Sequence, residues 1–215
     1  MGGFVIVYRM SVRQLLRLSP VWDAYKSLAA YPDYWYWRLR GRPLRHVPHI
    51  VKRRLLVDHA RSYKLKVLVE TGTNLGQMIA ATLPYMDEIW SIELADWSYQ
   101  NACRRFAGDG KVHLVHGDSG AKMHEVAPKL SQPCLFWLDA HDGDRLTPIR
   151  EELDAIASHS HLVPGSVFLI DDSPCFDGRN QYPTMEWMHE FTRTRLPGYR
   201  LENATNILRI LPESR

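Results

Sequence analysis

The sequence of 215 residues has few cysteines and no long apolar run, and both absences narrow the class of protein. Cys103, Cys134 and Cys175 are odd in number and lack CxxC spacing, so neither a disulfide framework nor a zinc site is indicated. The apolar run at 4–8 is too short to cross a bilayer and lacks a small-residue cleavage site. We therefore expect a protein of the reducing cytoplasm, without a signal peptide or transmembrane helix.

Charge is unevenly distributed along the chain. Residues 1–55 hold 11 Lys or Arg residues and only two acids, Asp23 and Asp33, whereas the whole chain carries +3. Such a basic arm can contact an anionic partner or pack on the acidic remainder of the chain. Its aromatic cluster at 31–37 could stack on bases or anchor the arm. We predict an arm or lid over 1–48 and one domain over 49–215. Nucleic acid is not the expected partner, and a homodimer through the arm is an alternative.

Beyond residue 48 the sequence alternates between apolar runs and stretches with helical spacing. The apolar runs predict strands at 67–70, 89–93, 111–116, 134–139 and 166–171, with a terminal hairpin at 199–202 and 206–211. The remaining stretches predict helices at 50–63, 75–84, 96–106, 119–130, 148–158 and 183–194. This alternation requires right-handed crossovers. The predicted fold class is α/β: a doubly wound, Rossmann-like, mostly parallel seven-stranded sheet with helices on both faces, plus an N-terminal helical arm.

A glycine turn follows the first predicted strand. The strand ends at Glu70, and Thr71, Gly72, Thr73 and Gly76 lie in the turn that leads into the next helix. At the carboxyl end of a parallel strand such a turn can hold an adenosine cofactor, and the alternative is an ordinary strand-to-helix turn, between which the neighbouring motifs decide. Gly72 allows the backbone to approach the ligand closely, and Gly76 allows tight packing of helix on strand. Because the turn lacks the Gly-x-Gly-x-x-Gly spacing that contacts a pyrophosphate, a cofactor without phosphate is favoured.

Acidic residues recur at the ends of successive apolar runs. They are Glu70, Glu93, Asp118, Asp139, and the pair Asp171 and Asp172. In an open parallel sheet these ends share one edge, where ligands bind. A single Asp after a strand is commonly a helix cap or turn residue, so the repetition predicts the site. Glu93, about 20 residues beyond the glycine turn, is placed to accept both ribose hydroxyls.

These motifs resemble those of class I S-adenosylmethionine-dependent methyltransferases, over about residues 50–212. The segments that carry the resemblance are 70–76, 91–94, 117–119, 136–139 and 169–172. The resemblance implies that Glu70 and the turn containing Thr71, Gly72, Thr73 and Gly76 hold the methionine part of the cofactor. It further implies that Glu93 with Leu94 binds the ribose, that Asp118 with Ser119 binds the adenine, and that Asp139 borders the cofactor.

A narrower resemblance concerns Asp139, Asp171 and Asp172. These residues stand where metal-dependent O-methyltransferases keep their divalent-ion ligands, as in macrocin-type sugar enzymes and, more loosely, catechol-type enzymes. Carboxylate oxygens suit Mg²⁺ or Mn²⁺, and a bound ion would lower the pKa of an acceptor hydroxyl. The alternative is that Asp171 or Asp172 caps a helix or binds substrate without a metal.

The sequence departs from the catechol-type pattern at the base. Asp142 stands where those enzymes place a lysine, and the third acid is Asp172 where they often have asparagine. His141 is the first candidate for general base, because a neutral imidazole accepts a proton near pH 7. Asp139 and Asp142 are the alternatives. The loops after Asp139 and at 175–182 are expected to border the acceptor pocket.

We therefore expect an enzyme that transfers a methyl group from S-adenosylmethionine to a hydroxyl of a small-molecule or sugar-containing acceptor. The alternative among enzymes is an NAD-dependent oxidoreductase on a similar sheet. A third possibility is a non-catalytic adenosine-binding module whose basic arm binds an anionic partner.

Overall fold

The computed structural model describes residues 31–32, 34–41, 47–141 and 146–213. The candidate base Asp142 and most of the predicted arm lie outside the described residues. Within the arm, 31–32 and 34–39 are helical; Trp37 is buried there, whereas Trp35 and Tyr36 are exposed. No helix in the described ranges is long and apolar enough to span a bilayer. The role of the arm as lid, anchor or dimer contact stays a prediction.

Seven strands form one sheet. They are β1 (Val67–Thr71), β2 (Glu88–Glu93), β3 (Val112–His116), β4 (Cys134–Leu138), β5 (Val167–Ile170), β6 (Tyr199–Ala204) and β7 (Ile207–Pro212). Their order is β3-β2-β1-β4-β5-β7-β6. The first five strands are parallel, and the terminal hairpin adds β7 antiparallel to β5 and β6 antiparallel to β7. The predicted seven-stranded, mostly parallel sheet is confirmed.

Six α-helices accompany the sheet in the described ranges from residue 47 onward. They are α1 (His49–Ser62), α2 (Gln77–Thr82), α3 (Asp96–Arg105), α4 (Ser119–Val126), α5 (Ile149–Ala157) and α6 (Met185–Arg195). The predicted helix 119–130 is wrong at its C-terminal end, where a 3₁₀ turn at Ala127–Lys129 replaces the α-helix. Pro128 explains the change, because proline has no N–H for the helical ladder and its ring clashes with the preceding turn.

Side chains that alternate across the sheet build two cores, one on each face. In β4, Phe136 and Leu138 pack in the core formed with α4, α5 and α6, whereas Leu135 and Trp137 pack in the core formed with α1 and α2. Helices on both faces explain why the strand is apolar throughout. The same alternation, continued past the strand end, directs Asp139 toward the α1 face.

Backbone hydrogen bonds between neighbouring strands continue beyond the strand ends. The Gly72 amide donates to the Ile92 carbonyl at 2.9 Å, and the Gly117 amide donates to the Glu93 carbonyl at 2.9 Å. The Asp171 amide donates in the same way to the Leu138 carbonyl, at 3.1 Å. The residues that follow β1, β3 and β5 are thereby held at one edge, beside those that end β2 and β4.

Candidate active site

Among the cavities formed by the described residues at the carboxyl edge of the sheet, two border the turn after β1. One has a volume of about 320 Å³ and the other about 240 Å³. Gly72, Glu93 and His141 border both cavities. Leu94, Asp118 and Ser119 line only the first of the two, and Thr73 and Asp139 only the second. The structure thus brings seven of the ten predicted cofactor residues to these two cavities.

A larger cavity of about 1070 Å³ lies elsewhere, between α1, α2 and the end of α3. It is lined by five arginines, among them Arg54 and Arg104, and by none of the predicted site residues. Because cofactor sites of this architecture form outside the carboxyl ends of the strands, we place the candidate site at the two smaller cavities.

Glu93 ends β2 and holds the glycine turn in place. Its Oε2 accepts a hydrogen bond from the Asn74 amide at 2.7 Å, and its Oε1 accepts one from the Ala95 amide at 2.8 Å. Each carboxylate oxygen has a further acceptor position. Glu93 can therefore bind hydroxyl groups in the cavity while its own orientation is fixed by the backbone.

Gly72 has two structural reasons to be glycine. Its φ is +83°, and a Cβ at this position would lie 2.8 Å from the carbonyl oxygen of Asp139. The sequence predicted close approach to a ligand; the structure shows a close approach to the end of β4. Gly76 has a φ of +66°, and its Cβ would lie 2.6 Å from the ring of Phe106. Its close neighbour is therefore the residue after α3, and the predicted approach to a strand is wrong.

Glu70 lies beneath the turn and lines neither cavity. Burial raises the pKa of Glu70 to about 8; the charge of Glu93 adds to this shift, and a hydrogen bond from Ser91 opposes it. Its Oε2 has no hydrogen-bond partner among the described residues. A buried oxygen of this kind is one that a ligand or water molecule would satisfy.

Ser119 contacts a residue that the sequence reasoning missed. The Ser119 hydroxyl donates to Glu152 Oε1 of α5 at 2.5 Å, and both side chains are buried. Burial raises the pKa of Glu152 to about 7, although hydrogen bonds from Ser119 and Thr71 oppose the shift. Asp118 in turn caps α4 by accepting from the Ala121 amide at 2.9 Å. Of the two predicted adenine-binding residues, Asp118 thus also stabilises the start of α4, and Ser119 links that start to α5.

Asp139 and Asp171 meet a lysine at the ends of β4 and β5. Lys52 of α1 forms an ion pair with Asp171, whose side chain is only 2% exposed. Burial raises the pKa of Asp139 well above its usual range; the charges of Asp171 and Asp172 add to the shift, and Lys52 opposes it. Burial also disfavours the Lys52 ammonium, but the carboxylates outweigh it and raise the pKa of Lys52. The lysine is therefore charged at neutral pH.

The predicted metal ligands are brought together in a different combination. Asp139, His141 and Asp172 place one ligand atom each within 4.8 Å of one another. The carboxylate of Asp171 faces Lys52 instead, and its Oδ1 has no hydrogen-bond partner among the described residues. Asp172 makes no capping bond to the following 3₁₀ turn and accepts from Asn206 at 3.3 Å. The oxygen and nitrogen donors of Asp139, His141 and Asp172 suit Mn²⁺ as well as Mg²⁺.

The sequence contains a pattern that could have predicted Lys52 and Glu152, the two site residues that the motifs did not indicate. Lys52 lies one helical turn before Leu56 and two turns before Ala60, and both are buried. Glu152 lies beside buried Leu153 on the apolar face of α5. Charged side chains are rarely buried without a partner, so a charge on the apolar face of a helix predicts a buried polar contact.

The chain matches no family model and no curated protein. Among solved structures it is similar to a protein from Klebsiella pneumoniae assigned as an O-methyltransferase (14% identity, 94% of this chain and 96% of that chain covered, TM-score 0.62). It is also similar to the O-methyltransferase TomG from Streptomyces achromogenes, solved with S-adenosylmethionine (17% identity, 76% and 80% covered, TM-score 0.56). A third is the Podospora anserina methyltransferase PaMTH1, bound to S-adenosylhomocysteine (14% identity, 100% of both chains covered, TM-score 0.55). The chain therefore has the fold of class I S-adenosylmethionine-dependent methyltransferases.

Proposed function

We propose that the protein is an S-adenosylmethionine-dependent methyltransferase that acts on a hydroxyl of a small-molecule or sugar-containing acceptor. The observation that carries the proposal is the pair of cavities that meet at Gly72, Glu93 and His141. They lie at the sheet edge where this architecture binds ligands. Two of the similar structures, TomG and PaMTH1, were solved with the methyl donor or its product.

The cofactor is proposed to span both cavities. Its adenine would lie beside Asp118 and Ser119, and its ribose hydroxyls would bind the fixed carboxylate of Glu93. The methionyl part would extend past Gly72 toward Asp139. The unpartnered oxygen of buried Glu70 supports this placement. A bridging water molecule could connect this carboxyl group, which lies beneath the turn, to the amino group of the methionine part.

The proposed reaction is an in-line displacement at the sulfonium methyl group. The acceptor oxygen forms a bond to the methyl carbon while the carbon–sulfur bond breaks, and the electron pair of that bond remains on sulfur. The products are a methyl ether and S-adenosylhomocysteine, and the hydroxyl proton passes to a base. His141 is the proposed base because it borders both cavities. Asp139, whose raised pKa indicates that it can hold a proton, is the second candidate.

The predicted Mg²⁺ or Mn²⁺ stays a prediction. Asp139, His141 and Asp172 carry oxygen and nitrogen donors of the kinds that such an ion binds, and a bound ion would polarise an acceptor oxygen. The Lys52 ammonium, however, lies close enough to interact with Asp139 and Asp172. The ion pair of Asp171 with Lys52 does not fit the ligand set expected from the sequence.

Calorimetric titration with S-adenosylhomocysteine tests the cofactor proposal. We expect binding by the wild type and binding weaker by about ten- to a hundredfold in Glu93→Gln, because charge-assisted hydrogen bonds contribute about 1.5–3 kcal/mol. Glu125→Gln is the matched control, since Glu125 is an exposed acid on α4 that pairs with Lys122. It should bind as the wild type does.

Parallel titration with NADH distinguishes the methyltransferase from the alternative, an NAD-dependent oxidoreductase. Binding of NADH without binding of S-adenosylhomocysteine would contradict the proposal. Equal affinities of the Glu93→Gln and wild-type proteins for S-adenosylhomocysteine would remove the ribose assignment alone.

A further inference from the structure

We infer that the ammonium group of Lys52 supplies the positive charge required by the acids that follow β4 and β5, in place of a divalent metal ion. The role of this charge in the reaction rests on the proposed methyltransferase function. The geometry that supports the inference is independent of that proposal.

Lys52 is directed to these acids by the packing of α1 on the sheet. Leu56 and Ala60, one and two helical turns further on, are buried in the core that α1 forms with the sheet. Lys52 therefore lies on the buried face of the helix. Its side chain is 13% exposed and that of Asp171 is 2% exposed, so the ion pair is largely shielded from water.

Asp171 is buried and Asp139 and Asp172 are half-buried, so those of the three carboxyl groups that are ionised need a cation close by. Asp139, Asp171 and Asp172 follow two neighbouring parallel strands, so their carboxyl groups converge at one place on the sheet edge. Burying such a group of like charges is costly unless a cation compensates them. Lys52 compensates them by an ion pair with Asp171 and lies close enough to Asp139 and Asp172 to interact with both.

A divalent ion and the ammonium group are alternatives at this position. An ion liganded by Asp171 would replace Lys52 on that carboxylate, and the two cations would repel each other at short range. An ion liganded by Asp139, His141 and Asp172 would also lie beside a charged lysine. The fixed ammonium group therefore weakens metal binding by either set of ligands.

Electron paramagnetic resonance with Mn²⁺ as the probe tests the inference on protein dialysed against a chelator. Free Mn²⁺ gives a sharp signal that is lost on binding. We expect the wild type to leave the signal unchanged, and Lys52→Met to bind Mn²⁺ at least about tenfold more tightly than the wild type. Lys52→Arg keeps the charge and should behave as the wild type does. Arg54→Met is the matched control, because Arg54 lies exposed on the same helix and pairs only weakly with Asp58, at 3.7 Å.

Uptake of Mn²⁺ by the wild-type protein, abolished in Asp172→Asn, would overturn the inference. An unchanged Mn²⁺ affinity in folded Lys52→Met would overturn it as well. If Lys52→Met does not fold, the wild-type and Lys52→Arg measurements decide the question, because uptake by either contradicts the inference and its absence in both supports it. Titration with S-adenosylhomocysteine in the same chelator-treated samples separates the two proposals. Failure of that ligand to bind counts against the methyltransferase function, whereas the Mn²⁺ result still reports on Lys52.

Discussion

Replacement of Gly72 by alanine tests whether the turn after β1 is fixed by its contact with β4. The backbone at Gly72 has a φ of +83°, and an alanine Cβ would lie 2.8 Å from the carbonyl oxygen of Asp139. Two separate costs therefore arise. One comes from the left-handed backbone, and the other from an atom placed in space that is already occupied.

The two costs have different expected sizes. A residue with a Cβ in the left-handed region costs about 1–2 kcal/mol, and overpacking by one methyl group in a closely packed place costs about 1–3 kcal/mol. Gly72→Ala should therefore lower the free energy of unfolding by about 2–5 kcal/mol. For a protein of this size each kcal/mol corresponds to about 2–4 °C in melting temperature, so a decrease of roughly 4–20 °C is expected.

Gly198→Ala is the control that separates the two costs. Gly198 has nearly the same φ, +82°, and no atom lies within 4 Å of the position of its Cβ. The free energy of unfolding of this variant should therefore fall only by the cost of the left-handed backbone, about 1–2 kcal/mol. The effect of alanine on the entropy of the unfolded chain is similar at both positions and cancels in the comparison.

Urea denaturation of the two variants and the wild type provides the measurement, with calorimetric binding of S-adenosylhomocysteine as the second readout. We expect weaker binding in Gly72→Ala, because the turn also carries the Asn74 amide that holds Glu93. A destabilisation by Gly72→Ala no greater than that by Gly198→Ala would refute the reasoning, since it would show that the contact with Asp139 relaxes without cost.

Two further predictions concern buried acids. Burial raises the pKa of Glu70 from 4.5 to about 8, so the folded protein retains a proton that the unfolded chain releases as pH rises through this window. Relative to Glu70→Gln, the wild type should therefore lose stability as the pH rises from about 5 to about 8. Urea denaturation at both pH values measures the free energy of unfolding of each protein, and the value for the variant should rise relative to that for the wild type at the higher pH. Ser119→Ala removes the hydroxyl that donates to Glu152 and should lower the free energy of unfolding by about 1–3 kcal/mol. Thermal unfolding checks this value, and a change within experimental error would mean that water replaces the hydroxyl.

Hydrophobic pattern predicted the order of strands and helices because period-two and helical spacing are local properties of the chain. The ends of β1 and β4 were located to within one residue, at Thr71 and Leu138. The exception at the end of α4 is also local, since Pro128 could have been read as the stop signal. The rule that parallel strands end at one edge then brought Glu93 and Asp139 to the same part of the molecule.

Contacts within that edge could not be predicted in the same way. Lys52 precedes Asp171 by 119 residues, and their ion pair depends on how α1 packs against the sheet. The pairing of Ser119 with Glu152 across 33 residues depends likewise on the contact between α4 and α5. Sequence patterns assign a residue to a face of its own element, but they do not state which residue of another element lies opposite.

The sequence by itself determined the α/β architecture and the set of acids at the strand ends, because each follows from local periodicity and from the geometry of parallel strands. Only the tertiary structure decided what each acid contacts: backbone amides for Glu93, a lysine for Asp171, and the Ser91 side chain in a fully buried position for Glu70. The physical reason is that charge compensation and burial depend on distances between elements, which are fixed when the helices pack on the sheet.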